Sequence, residues 1–566
     1  MKKGIVLKRK IVSLLIAFVL VLGIVGCGSK EKSEDKSFAQ TKEENSSTEY
    51  ATSTQPKNDN KEEPQKESEW LSVKESASDN YGGANQEVKI GNNEVLYTLD
   101  GNEDEAKTET FDLHDFETAT LNSVSTFSVD VDTASYSMVR NHLEGDRMPY
   151  QEDVRIEEMI NYFKYDYETP KTEPFSINTE LGVCPWDDDY LIASIGLNGK
   201  EIELDERAST NLVFLMDVSG SMNDEDKLPL LKESFKLLVD ELGENDRVSI
   251  VVYAGASGAV LEGARGNDKD EIMRAIDRLE AGGSTAGSEG IQMAYKLADK
   301  YFIPNGNNRV ILATDGDFNV GLTSENELLE FIEDKREEGV FLSALGFGEN
   351  SRNFDTMELL ADNGNGQFAY IDSEREARKV LIEELGGTLY TIAKDVKVQV
   401  EFNPIVVKEY ALIGYDNRRL ENHEFNDDSV DAGDIGAGHQ VTALYLVKLQ
   451  DEYDVGEGNL RYQETSLIGM EDELMYVKLR YKEPNGDESK LISEIIYNKV
   501  RRKVSDDFGF ACVVAEFGLA LRGDFEFEGS DYEDLYDEAM GYIIENTDAY
   551  KIEFAELVSK AAEIVH

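Results

Sequence analysis

Short apolar runs alternate with helical patterns through the middle of the chain. The runs predict buried strands near 211–216, 247–253, 309–313, 340–346 and 367–371. Between them, apolar residues such as Leu231, Phe235 and Leu238 recur at the spacing of a helix with one buried face. Alternating strands and helices build a parallel sheet, and right-handed crossovers place helices on both of its faces. Residues 208–393 are therefore predicted to form a doubly wound α/β domain that ends in a helix near Ala393.

The flanks of this domain have a different pattern. Alternating apolar positions before it and after it are typical of antiparallel strands, near 127–131, 175–179, 191–197, 396–402, 441–447 and 475–481. An inserted domain needs its entry and exit close together, so we expect the two sets of strands to pair into one β-sandwich-like region. The full division is a signal peptide 1–26, a disordered tether 27–115, an N-terminal α+β region 116–207, the α/β domain 208–393, a β-rich region 394–500 and a C-terminal helical region 501–566.

The first residues resemble an export signal. Several lysines precede an apolar stretch from Ile11 to Val25, which is too short for a comfortable membrane span. Ile24-Val25-Gly26-Cys27 then resembles a bacterial lipobox, in which the signal is cut before a cysteine that carries lipid. The resemblance implies lipidation at Cys27 and a lipid-anchored protein on the extracytoplasmic face of the cell membrane. Residues 28–105 are mostly polar and predict a disordered tether.

Composition narrows the class of partner. The 566 residues carry a formal net charge of -58, which argues against nucleic acid, since phosphate binding needs basic patches. The remaining cysteines, Cys184 and Cys512, lie far apart in apolar surroundings and are predicted to be core thiols rather than a disulfide. An acidic loop at 427–434 is either a calcium site or a charged surface loop.

Oxygen-bearing side chains follow the first predicted strand of the α/β domain. Asp217, Ser219 and Ser221 alternate directly after the apolar run 212–216, in the pattern D-x-S-x-S. In an open α/β sheet, ligands bind at the carboxyl ends of the strands. A glycine-rich segment offers Thr285 at the start of a helical pattern, and the strand at 309–313 ends in Thr-Asp-Gly, with Asp315. Hard oxygen donors of this kind suit Mg²⁺ or Mn²⁺ rather than zinc.

These three segments, in this order, resemble the metal-ion-dependent adhesion site of von Willebrand factor type A domains. The resemblance implies that Ser219 and Ser221 bind the metal directly, that Thr285 binds it directly or through water, and that Asp217 and Asp315 act largely through water. The implied cofactor is Mg²⁺, with Mn²⁺ or Ca²⁺ as alternatives. One coordination position is left for an acidic residue of a partner protein, which displaces a metal-bound water.

The flanks resemble a family of bacterial envelope lipoproteins with an A domain between family-specific N-terminal and C-terminal regions. The resemblance is carried by residues 125–136, 155–163, 430–445 and 508–511. That family is largely without an assigned function, so the resemblance implies an architecture and a site but names no ligand.

We therefore expect a protein-binding module and not an enzyme, whose partner is an envelope or other extracytoplasmic protein. Two alternatives stay open. One is an envelope scaffold or assembly factor in which the metal site acts as an internal switch. The other is a metal-dependent hydrolase, although the sequence has no H-E-x-x-H, no G-x-S-x-G and no Walker A motif, and its five histidines are scattered.

Overall fold

The computed structural model describes residues 116–566 apart from 203–207, 255–256, 284–286, 317–324, 349–353, 385, 388–389, 451–469, 471, 485, 487, 544–547 and 566. The predicted signal peptide, the lipidation site at Cys27 and the tether lie outside the described residues. Within the described part of the chain, no helix is both long enough and apolar enough to cross a membrane.

The central domain contains a six-stranded sheet. Its strands are β5 (Thr210–Asp217), β6 (Arg247–Tyr253), β7 (Ser257–Arg265), β8 (Asn307–Thr314), β9 (Val340–Phe347) and β10 (Phe368–Ile371), in the spatial order β10-β9-β8-β5-β6-β7. The five predicted strands are confirmed and pair in parallel. The sequence pattern missed β7, an antiparallel edge strand without buried residues, because an exposed strand has no apolar alternation.

Helices cover both faces of this sheet, as the crossover rule predicts. They are α3 (Leu228–Asp240), α4 (Lys269–Asp277), α5 (Gly287–Lys300), α6 (Glu325–Glu337), α7 (Phe354–Asn363) and α8 (Glu374–Arg378). The apolar faces of α3 and α4 pack on one side of the sheet, around Phe214 and Phe235. The faces of α5 and α6 pack on the other side, around Tyr295 and Ile332. The central domain is thus doubly wound, with a mixed sheet that is parallel apart from its antiparallel edge.

The flanking strands form a sandwich of two antiparallel sheets. They are β1 (Glu117–Thr118), β2 (Val124–Ser128), β3 (Phe175–Val183) and β4 (Leu191–Gly199) before the central domain, and β11 (Thr391–Phe402), β12 (Val407–Ile413), β13 (Ile435–Gly436), β14 (Gln440–Leu449), β15 (Glu473–Lys482) and β16 (Ser489–Tyr497) after it. One sheet has the order β1-β12-β14-β4-β3, and the other has the order β13-β11-β15-β16 with β2 also on β11. Strand β4 pairs along its length with β14, which confirms the expected pairing across the inserted domain.

A third apolar core joins the two ends of the described chain. The helices α1 (Ala134–Glu144) and α2 (Ile156–Asn161) pack with three C-terminal helices, α9 (Asp506–Arg522), α10 (Gly529–Tyr542) and α11 (Ala549–Val565). Helix α9 begins where the Ser505 hydroxyl accepts the amide of Phe508 at 3.1 Å, and it ends at Gly523 with φ +90°. Glycine adopts this left-handed conformation without a steric penalty.

Two local expectations have clear outcomes. The predicted helix end near Ala393 is wrong: Ala393 lies in β11 and pairs with Ile435. That partner is distant in sequence, so tertiary pairing overrides the local pattern there. Cys184 and Cys512 are both buried free thiols in the third core, as predicted, and burial raises the pKa of Cys184 to about 12.

Buried ion pairs connect the central domain to its flanks. Arg140 of α1, almost fully buried, bonds Asp372 at 2.6 Å, Glu376 of α8 at 2.7 Å and Glu553 of α11 at 3.0 Å. Three segments far apart in the chain therefore meet at one guanidinium. A second cluster has Arg418 at its centre. Arg418 bonds carboxylates of the N-terminal region and of α7, among them Asp130 at 3.1 Å, Glu358 at 3.2 Å and Asp362 at 2.7 Å.

The acidic loop is engaged in similar contacts. Asp428 pairs with Arg480 of β15 at 2.9 Å, and Asp431 pairs with Arg336 of α6 at 2.8 Å. These pairs favour the interpretation of this segment as a charged loop that contacts the central domain.

Candidate metal centre

Two adjacent parallel strands bring the two aspartates of the candidate site together. Strand β5 ends at Asp217, and Asp315 directly follows β8, its hydrogen-bonded neighbour in the sheet. Both carboxylates are fully buried. Parallel neighbours end at the same edge of a sheet, so the fold itself concentrates negative charge there.

The loop after β5 is folded around its own aspartate. Asp217 accepts the amide N–H of Ser219 at 2.7 Å through one oxygen and the hydroxyl of Thr314 at 3.0 Å through the other. The turn brings the hydroxyl oxygens of Ser219 and Ser221 to 2.9 Å from each other. Two hydroxyls and a carboxylate from alternate residues therefore lie within one short loop.

The glycine-rich segment lies against this first loop. The amide of Gly282 donates to the carbonyl of Val218 at 2.8 Å, and the amide of Gly220 donates to the carbonyl of Gly283 at 3.2 Å. The backbone just before Thr285 is therefore bonded to the loop that carries the two serines. Thr285 itself lies outside the described residues, so its role stays a prediction.

Burial affects the ionisation of the site. It raises the pKa of Asp217, while the bonds from Ser219 and Thr314 act in the opposite direction by stabilising the carboxylate. Tyr253, at the end of β6, is fully buried beside this group, and burial together with the charge of Asp217 raises the pKa of its phenol well above the ordinary value. A buried carboxylate of this kind is stabilised by a cation at its side.

Sequence reasoning missed one charged member of the site. Lys227 precedes α3 and places its ammonium Nζ at 2.9 Å from Asp315 Oδ2, with both side chains buried. The only local signal is a lysine ten residues after Asp217, at the start of an apolar helical pattern. Lysines are common near helix ends, so that signal alone does not identify an ion pair with the next loop.

The donor set fits a hard divalent cation. It consists of hydroxyls and carboxylates, which are the ligands that Mg²⁺ prefers and which poorly suit zinc. Among residues whose positions are described, no group of three or more His, Cys, Asp or Glu side chains could hold a metal. A metal at this edge would therefore depend on the hydroxyls of Ser219 and Ser221, with the carboxylates of Asp217 and Asp315 behind them.

Comparisons with known proteins agree with this architecture. A model of the von Willebrand factor type A domain matches residues 211–384, a model described as von Willebrand factor matches 102–193, and a model of the C-terminal region of uncharacterized protein YfbK matches 387–564. Uncharacterized protein YfbK of Escherichia coli (strain K12) is 40% identical over 467 residues, which are 81% of this chain and 81% of that protein. The chain belongs to the YfbK family.

More distant relatives and solved structures are similar to smaller or larger shares of the chain. Human inter-alpha-trypsin inhibitor heavy chain H3 is 25% identical over 279 residues, which cover 46% of this chain and 30% of that protein. The solved structure of von Willebrand factor type A from Catenulispora acidiphila is 16% identical, covers 71% of this chain and 98% of its own, and has a TM-score of 0.39. BatB from Bacteroides thetaiotaomicron is 21% identical, covers 31% of this chain and 97% of its own, and has a TM-score of 0.27.

Proposed function

We propose that this YfbK-family protein is a lipid-anchored, extracytoplasmic protein-binding module that captures an acidic residue of an envelope protein through a divalent metal ion. The metal is held by Asp217, Ser219, Ser221, Thr285 and Asp315, and Mg²⁺ is the expected ion. One observation carries the proposal: Asp217, Ser219, Ser221 and Asp315 come from two loops at one edge of the central sheet. Domains of the von Willebrand factor A type commonly bind a divalent ion and mediate protein–protein binding.

The contacts of the site support different roles for its aspartate and for its two serines. Asp217 is held by Ser219 and Thr314 inside the loop, so it supplies charge from a fixed position. The serine hydroxyls are the donors best placed to meet the ion directly, and Ser221 is the more accessible of the two. A metal held mainly by neutral hydroxyls keeps much of its charge and attracts an incoming carboxylate strongly. The metal, when bound, supplies the electrostatic attraction for the partner.

Lipid attachment at Cys27 and the tether belong to the same proposal. A flexible tether would let the head domain search for partners close to the membrane surface, and one lipid anchor raises the local concentration of the head there. Retention of the protein in the membrane fraction, lost on Cys27→Ala, is the expected result.

Metal binding is tested first by calorimetric titration of the purified protein with Mg²⁺ and Mn²⁺. Ser219→Ala removes one hydroxyl donor and should weaken Mn²⁺ binding by at least tenfold, which is about 1.4 kcal/mol. Asp240→Ala is the matched control, because Asp240 is an exposed carboxylate at the end of α3. Equal affinities for the wild type and Ser219→Ala would contradict the assigned metal site.

Partner binding is tested by recovery from envelope extract with and without EDTA. We expect metal-dependent recovery by the wild type and by Asp240→Ala, and loss of recovery for Asp217→Ala and Ser219→Ala. Crosslinking in cells then identifies the captured protein. Equal recovery under all conditions would exclude the adhesion mechanism, whereas cleavage of envelope proteins on incubation would favour a hydrolase. A metal-dependent change of shape with no partner present would favour the internal switch.

A further inference from the structure

Lys227 is a buried, ion-paired member of the candidate metal centre. Its ammonium bonds Asp315, whose side chain is fully buried, and its own side chain is only 9% exposed. A lysine is rarely buried to this degree unless it is paired. The pair therefore belongs to the interior of the site and is shielded from the solvent that weakens surface ion pairs.

A glycine just after strand β9 leaves room for the side chain of Lys227. Gly348 directly follows β9 and has φ +79°, a conformation that side chains rarely adopt. A Cβ at Gly348 would overlap the Cε and Cγ atoms of Lys227 and would lie in tight contact with its Cδ atom. The methylene groups of Lys227 therefore pack against the backbone of Gly348, and this packing holds the ammonium group at Asp315.

We propose that Lys227 is a resident counter-ion of the metal site, which weakens the binding of a divalent ion alone and makes the loaded site favour a single carboxylate. This inference rests on the proposed function. The charge balance carries it. In their ionised forms Asp217, Asp315 and Lys227 together bear one net negative charge, so these three side chains and a divalent ion together carry one net positive charge.

A single carboxylate of a partner then restores neutrality. Without Lys227, the same aspartates and a divalent ion would already be neutral, and a further carboxylate would add an excess negative charge in a partly buried place, which is unfavourable. Lys227 therefore opposes the metal and favours the acidic ligand. It links the two binding events, because each is stronger when the other has taken place.

The test compares full-length wild type with Lys227→Gln, whose amide can still donate a hydrogen bond to Asp315 but carries no charge. Binding of Mn²⁺ alone is followed by calorimetry and by electron paramagnetic resonance of free Mn²⁺. We expect Lys227→Gln to bind Mn²⁺ about tenfold more tightly than the wild type. The control is Lys236→Gln, which removes a lysine of α3 that pairs with Glu233 and Asp277 and should leave Mn²⁺ affinity unchanged.

A second measurement replaces chloride by acetate at equal ionic strength, with acetate as the carboxylate probe. Acetate should tighten Mn²⁺ binding to the wild type and to Lys236→Gln more than to Lys227→Gln. Lys227→Arg keeps the charge and should bind Mn²⁺ as the wild type does. A Lys227→Gln protein that folds only with Mn²⁺ supports the proposal, because the ion then supplies the missing positive charge.

The outcomes separate this inference from the proposed function. A wild type that binds no Mn²⁺ overturns both. A wild type that binds Mn²⁺, together with a Lys227→Gln variant that binds it equally or more weakly, overturns only the role of Lys227. If Lys227→Gln folds neither with nor without Mn²⁺, the Mn²⁺ affinity of Lys227→Arg decides. An affinity equal to that of the wild type supports the charge argument, and tenfold tighter binding refutes it.

Discussion

The guanidinium of Arg140 joins helix α1 to the central domain and to the C-terminal helix α11. Its Nη2 bonds Asp372 at 2.6 Å and Glu376 at 2.7 Å, and its Nη1 bonds Glu553 at 3.0 Å and the phenol of Tyr162 at 2.9 Å. The side chain is 3% exposed. Arg140→Met keeps most of the apolar stem and removes the cation from the buried carboxylates of Asp372 and Glu376.

Removing one partner of a buried ion pair costs about 3–5 kcal/mol, since the remaining charge stays buried and uncompensated. Over the roughly 400 residues that the structure describes, the entropy of unfolding is on the order of 0.8 kcal/mol per kelvin if they unfold together, so Tm should fall by about 4–6 °C. The control is Arg265→Met, because Arg265 and Glu244 form an exposed pair at 3.9 Å. Such a pair contributes about 0–1 kcal/mol.

Calorimetry and urea unfolding measure the loss, and hydrogen exchange locates it. We expect faster exchange in α8 and α11, which hold Glu376 and Glu553, and unchanged exchange in the central strand β5. Equal stability losses for Arg140→Met and Arg265→Met would refute the reasoning. Faster exchange spread evenly over the molecule would also refute it, because the lost contacts join specific segments.

Two further predictions concern pH and packing. Burial raises the pKa of Glu157 and of Asp434 to about 7, so both bind more protons folded than unfolded and the free energy of unfolding should rise as pH falls from about 8 to about 6.5. Glu157→Gln and Asp434→Asn should each flatten this slope in Tm measurements, and an unchanged slope would exclude the assignment. Gly366→Ala should lower the free energy of unfolding by about 1–3 kcal/mol through overpacking, since the added Cβ would overlap the carbonyl oxygen of Leu342. The control is Gly258→Ala, whose Cβ meets no atom within 4 Å and should leave stability unchanged. Equal urea midpoints for the two variants would contradict this prediction.

The elements that sequence predicts well are those whose signal is local. Strands β5 and β8 are continuous apolar runs, and each is followed directly by its oxygen-bearing loop. The pattern therefore gave both the sheet and the residues at its edge. Pairing between strands before and after the central domain followed from a geometric argument about insertion, although which strands pair did not. Strand β7 escaped prediction because its side chains are largely exposed, so its position depends on hydrogen bonds to β6 and not on an apolar pattern.

The parts that sequence does not predict depend on charges brought together by the fold. Arg140 and Asp372 are 232 positions apart, and Lys227 and Asp315 are 88 apart. In a chain this acidic, a basic residue has many possible partners, and only the three-dimensional arrangement selects one. The same holds for the raised pKa of Glu157, since burial of a carboxylate on a short helix contradicts the usual placement of glutamate.

The pairing of β4 with β14 also constrains how the molecule is made. A ribosome that adds about 5–20 residues per second completes β14 on the order of 10–50 s after β4. During that time the central domain can fold as a unit, while β4, which precedes it, remains unpaired with β14 because β14 has not yet been synthesised. Nascent chains at this stage should need protection from aggregation, and a slow or truncated synthesis would leave one half of the sandwich permanently open.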